Sequence, residues 1–201
     1  MTDPIEQIFG GSPLMAILRH QSVEKAVELS TRAWDLGIDS VEIPLQSDED
    51  IEGLRAVAEL AGPRGKIVGA GTIIDPAQVP VAIAAGAGFL VSPGLDPAVV
   101  RAAQVAGIPI VPGVATPTEV QLALSLGLTW LKAFPAQWLG VEWFRHIRGP
   151  FPQAKFIATG GMDAGNARQF LDAGVRVVAV GSALEDPAQL PMLAEVVKQV
   201  R

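Results

Sequence analysis

Two charged residues stand inside otherwise apolar runs of this 201-residue sequence. Thr129-Trp130-Leu131-Lys132-Ala133-Phe134 carries one lysine, and Ser40-Val41-Glu42-Ile43-Pro44-Leu45 carries one carboxylate. Residues two apart on a strand share a face, so Trp130, Lys132 and Phe134 project together, as do Ser40, Glu42 and Pro44. Apolar surroundings favour the uncharged form of an amine, and an uncharged amine adds to a carbonyl to give a Schiff base. A carboxylate in the same interior is expensive unless paired, and it suits proton transfer in such a reaction. The competing reading is a buried ion pair with no catalytic role. Apolar replacements of such pairs are often neutral or stabilising, so the presence of this one tilts toward chemistry.

Other segments bear groups that bind rather than react. Ala158-Thr159-Gly160-Gly161 and Val180-Gly181-Ser182 are glycine-rich turns after apolar runs. There, backbone N–H groups can approach a phosphate and the Ser182 hydroxyl can add a donor; the alternative is two tight turns that simply need glycine. Val68-Gly69-Ala70-Gly71-Thr72 lacks the third glycine of a dinucleotide fingerprint, because Ile74 occupies that position. Thr72 is a weak candidate for a substrate carboxylate. Arg19 could grip a carboxylate in a fork. His20 and His146 are the only histidines, and neither belongs to a metal or triad spacing. Trp34, Trp138 and Trp143 read as packing residues of helical segments.

These groups need a scaffold that brings strand ends together. Candidate strands run over 13–18, 40–45, 66–70, 89–91, 109–111, 130–133, 155–158 and 177–180. Their near-continuous apolar character suits strands covered on both faces. Helix-like stretches lie between them, among them 23–36, 50–60, 97–106, 117–126 and 164–173. Glycines at 37, 86, 107, 127 and 174 punctuate the helix ends. Asp75-Pro76, Asp96-Pro97 and Asp186-Pro187 read as caps rather than metal ligands, and Thr116 with Glu119 has capping-box spacing. Eight such units predict a (β/α)8 barrel in a single domain over residues 1–201, in preference to an open doubly wound sheet. Reactive groups then belong at the carboxyl ends of the strands.

Composition narrows the partners. Hydrophobic residues make up 49% and charged residues 18%, cysteine is absent and the net charge is −6. That balance argues for a packed core, against thiol chemistry, and against nucleic acid or an anionic membrane as partner. No apolar stretch approaches the roughly 20 residues of a bilayer span, and no signal peptide is visible. The expectation is a cytoplasmic protein acting on a small molecule without metal or cofactor.

Taken in order, Pro13–Arg19, Val41–Leu45, Gly69–Thr72, Ser92-Pro93-Gly94, Pro112-Gly113, Lys132–Ala136 and Thr159–Gly161 resemble the KDPG/KHG aldolase family along essentially the whole chain. That family cleaves 2-keto-3-deoxy-6-phosphogluconate and, often, 4-hydroxy-2-oxoglutarate. The resemblance implies a class I aldolase on a metal-independent barrel, usually a homotrimer. It puts Lys132 on the Schiff-base lysine, Glu42 on the general acid/base, and Thr72, Pro93 and Phe134 on the pyruvate pocket. Gly160, Gly161, Gly181 and Ser182 match its phosphate site. Gluconate-type members resemble Glu-x-x-Leu-Arg, whereas this chain has Glu42-Ile43-Pro44-Leu45-Gln46. A neutral residue there, with Arg19 ending the first strand, is similar to the 2-keto-3-deoxy-6-phosphogalactonate branch, whose motif carries asparagine. Arg19 is then expected to hold the substrate carboxylate and Gln46 to contact hydroxyls. Two rival functions stay open at this level: a sugar-phosphate isomerase or epimerase on the same barrel, and a non-catalytic phosphometabolite binder.

Overall fold

Parallel strands arranged around a common lumen organise the computed structural model, which describes residues 4–200. The strands are β1 (Leu14–Ile17), β2 (Ser40–Pro44), β3 (Ile67–Gly71), β4 (Phe89–Val91), β5 (Ile110–Val111), β6 (Gly113–Val114), β7 (Trp130–Ala133), β8 (Lys155–Thr159) and β9 (Val177–Val180). Their order is β5-β4-β3-β2-β1-β9-β8-β7-β6, with every pairing parallel. The ninth strand segment comes from a break, because Pro112 has no N–H to give a ladder. Above it Gly113–Val114 pairs with β7, below it Ile110–Val111 pairs with β4, and the Pro112 carbonyl accepts from the Lys132 N–H at 2.8 Å. One interrupted strand therefore closes the ring, and the predicted eight-unit barrel is what forms.

The helices are α1 (Pro4–Phe9), α2 (Val23–Asp35), α3 (Asp48–Ala61), α4 (Gln78–Ala84), α5 (Pro97–Ala106), α6 (Pro117–Ser125), α7 (Ala136–Ile147), α8 (Ala167–Asp172) and α9 (Leu190–Val200). Asp96 caps α5 through the Ala98 N–H at 2.7 Å, and the Thr116–Glu119 capping box opens α6. Asp75 and Asp186 also accept backbone N–H groups, but in turns that precede α4 and α9. The stretch expected to be helical from 164 starts only at Ala167. Before it, the Asp163 carboxylate takes the N–H groups of Gly165 and Asn166, which holds a turn in place of a helical first turn. Trp138, expected to pack, is 86% exposed.

Alternation along the strands divides the core in two. Leu14, Ala16, Val41, Ile43, Leu131, Ala133 and Val178 face the helices. Met15, Phe89, Val91, Val111, Trp130, Ile157 and Val177 fill the lumen, where α1 adds Ile5, Ile8 and Phe9. Phe9 meets the Phe89 ring edge-on at 5.2 Å and the Trp130 ring at 5.6 Å. Apolar and aromatic contacts thus plug the amino-terminal end. No helix among the described residues is long and apolar enough to cross a membrane.

Candidate active site

Glu42 projects into the lumen from β2 and Lys132 from β7, as the period-two reading requires. The Lys132 Nζ stands 3.9 Å from Glu42 Oε1, with side-chain exposures of 3% and 0%. That separation is an electrostatic contact beyond hydrogen-bonding distance. Neither Glu42 oxygen has a hydrogen-bond partner among the described residues. An amine and a carboxylate without a protein hydrogen-bond partner therefore face one another in a buried interior, which suits covalent attack on a carbonyl with proton transfer alongside. The Phe134 ring centre lies 5.4 Å from Nζ.

Strand β3 makes this arrangement possible. A Cβ at Gly71 would stand 2.0 Å from Glu42 Oε1, and one at Gly69 would stand 2.2 Å from the Phe89 ring. The alternating Gly69-Ala70-Gly71 pattern is thus a spacing signal, with both lumen positions stripped of side chains. Gly113 is equally constrained, since its Cβ would meet the Pro93 carbonyl oxygen at 2.0 Å.

A cleft of about 580 Å³ opens at the carboxyl ends of the strands. Of the candidate residues, Arg19, Phe134, Gly160, Gly161, Gly181 and Ser182 line it. Thr72, Pro93 and Gln46 are not among its lining residues, nor are the buried Lys132 and Glu42, which the lining residue Phe134 adjoins through its 5.4 Å contact with Lys132. Thr72 directly follows β3 with φ 57°, a costly conformation for a β-branched residue, of the kind that gathers at functional sites. Gln46 accepts a 2.5 Å hydrogen bond from Arg19 Nη1, so it fixes the guanidinium at the cleft mouth. Thr159 is a residue the sequence reading passed over. It lines the cleft, is 5% exposed, and its hydroxyl has no partner among the described residues. A polar residue on the lumen face, two positions beyond Ile157, was the available signal.

Gly160 and Gly161 hold φ values of 97° and 75°. The Gly160 carbonyl accepts from the Gln137 N–H, and Asn166 Nδ2 donates to the Gly161 carbonyl at 2.8 Å. A Cβ on Gly161 would fall 1.9 Å from Gln137 Oε1. Backbone geometry demands these glycines, and both line the cleft. Among the described residues, no three His, Asp or Glu side chains stand together as metal ligands would.

The family model described as KDPG and KHG aldolase matches residues 5–198. The chain belongs to that family. It is an aldolase, a carbon–carbon lyase. It is 36% identical to a probable 2-dehydro-3-deoxy-6-phosphogalactonate aldolase of Rhizobium meliloti, over 87% of this chain and 82% of that one. It is 34% identical to the KHG/KDPG aldolase of Escherichia coli, over 91% of this chain and 85% of the relative. Among solved structures it resembles the KDPG aldolase of Legionella pneumophila with pyruvate captured as a covalent carbinolamine. That likeness has a TM-score of 0.84 and 31% identity, covering 99% and 98% of the two chains.

Proposed function

We propose that this aldolase cleaves a 2-keto-3-deoxy-6-phospho sugar acid, of gluconate or galactonate configuration, to pyruvate and glyceraldehyde 3-phosphate. It acts on 4-hydroxy-2-oxoglutarate, giving pyruvate and glyoxylate, by the same route. The observation that carries the reading is the lumen pair, with Lys132 Nζ 3.9 Å from an otherwise unpartnered Glu42. Nζ attacks the keto carbon to form a carbinolamine, which loses water to an imine. Glu42 takes the proton of the C4 hydroxyl while the C3–C4 bond breaks and its electrons pass into the imine as an enamine. The aldehyde leaves, Glu42 returns the proton to the enamine carbon, and water hydrolyses the pyruvyl imine. An isomerase or epimerase on this barrel would have no use for a buried lysine on β7.

Roles follow for the surrounding residues. Arg19 holds the substrate carboxylate, since an unpaired buried anion costs several kcal/mol. Gln46, through its bond to Arg19, positions that guanidinium. Thr72, Pro93 and Phe134 shape the pyruvate pocket, while Gly160, Gly161, Gly181 and Ser182 take the phosphate. The working assembly is a cytoplasmic homotrimer, a reading supported by the family likeness. Borohydride reduction in the presence of pyruvate should leave one stable adduct per chain, mapped to Lys132 by intact mass and peptide analysis. Labelling that persists in Lys132→Ala overturns the assignment.

A further inference from the structure

The cleft carries an excess of negative charge where its glycines invite an anion. Ser182–Leu184 forms one turn of 3₁₀ helix, with Glu185 as its capping residue. Side chains three apart on such a turn eclipse, so Glu185 stands over Ser182 while Ala183 and Leu184 are buried. Both Ser182 and Glu185 line the cleft. Glu185 is also held there, because its Oε1 accepts from Gln21 Nε2 at 3.1 Å, and the same amide reaches the Arg19 carbonyl at 3.2 Å. Between Arg19 and Gln21, His20 takes φ 54°, so the loop that carries this amide is itself strained. The second lining carboxylate, Asp163, is committed to the backbone turn before α8. Among the described residues Arg19 is the one lining cation, and its guanidinium donates to Gln46.

We propose that Glu185 determines specificity at the aldehyde end of the cleft, opposing a phosphate dianion and accepting a hydrogen bond from an uncharged terminal hydroxyl. The inference rests on the aldol reading above and refines its substrate class. With Arg19 given to the substrate carboxylate, the glycine peptides and Ser182 are left to attract phosphate, and Glu185 subtracts from that attraction. Unphosphorylated hydroxyaldehydes, and the keto sugar acids they make with pyruvate, therefore compete as substrates on terms closer to equal. The amide of Gln21 orients the carboxylate for this and carries no charge to cancel it.

The test is aldol addition of pyruvate to D-glyceraldehyde 3-phosphate and to D-glyceraldehyde, in the unmodified chain, Glu185→Gln and Glu185→Ala. Glu185→Gln should raise kcat/KM for the phosphorylated aldehyde by about 3–10-fold, through KM, as removal of one like charge across a partly solvated gap implies. Added salt should narrow that gain, because the interaction is exposed to screening. Glu185→Ala should lower kcat/KM for D-glyceraldehyde by about 2–5-fold, the usual weight of one lost hydrogen bond. A ratio between the two aldehydes that is unchanged in both variants overturns the proposal. Pyruvate trapping in the unmodified chain separates the two failures: trapping with an unchanged ratio sinks only Glu185, and no trapping sinks the aldol reading with it.

Discussion

The two ends of one lumen are built on opposite terms. At the amino-terminal end Met15, Phe89, Val111, Trp130 and Val177 meet Ile5, Ile8 and Phe9 from α1, and the space is filled by apolar contact. The charges there sit at the rim and are paired. Glu6 accepts from Lys155 and lies 3.2 Å from Arg176, and Lys155 in turn lies 5.4 Å above the Trp130 ring. At the carboxyl end the same barrel buries Glu42 and Thr159 with no hydrogen-bond partners among the described residues, and holds Thr72 in a strained conformation. Buried polar atoms left unmatched cost free energy, and so does a positive φ at a β-branched residue. The closed end supplies stability that the open end does not, which frees the open end for chemistry.

Three experiments press on that division. The largest effect should come from Glu42→Gln, which keeps the shape of the side chain and removes its ability to take a proton. Turnover should fall by roughly 10²–10⁴-fold while the fold survives. Near-normal turnover would leave Glu42 as a structural partner of Lys132. At the other end, Phe9→Ala should lower unfolding free energy by about 3–5 kcal/mol, as large aromatic truncations in cores do. Denaturant unfolding measures that loss, and borohydride trapping per folded chain should stay intact. Trapping that falls with stability would show the two ends are coupled.

The smallest effect concerns the rim. The Lys155 hydrogen bond, with the charges of Lys155 and Arg176, holds the Glu6 carboxyl below the ordinary glutamate value of 4.5. A carboxyl lowered on folding stabilises the chain above its unfolded pKa, and the contribution fades as pH falls through the folded value. Glu6→Gln should therefore cost about 0.2–1 kcal/mol at pH 7, in the range of partly exposed ion pairs. Melting temperatures of the two proteins should draw together as pH falls below the ordinary glutamate value of 4.5 and through the lowered folded value. A gap that persists in acid would mean α1 is fastened by packing alone.

Read in one dimension, the residues already specified the strands, their lumen-facing positions, the glycine turns and the Asp96 and Thr116 caps. These depend on neighbours two to four positions apart, and local sterics and hydrogen bonding decide them. The lone charges at 42 and 132 were conspicuous for the same reason, since each breaks a short apolar run. What the tertiary structure alone decided is non-local. Pro112 splits a strand so that its halves bridge β4 and β7 and close the ring. The helix α1 is too short for its periodicity to be conspicuous, and its role as a plug depends on strands far along the chain. Gly69 and Gly71 matter because Phe89 and Glu42 arrive beside them from neighbouring strands. The bond from Arg19 to Gln46 likewise depends on two loops meeting at the mouth. Ring closure selects these contacts, and no local propensity encodes which residues it brings face to face.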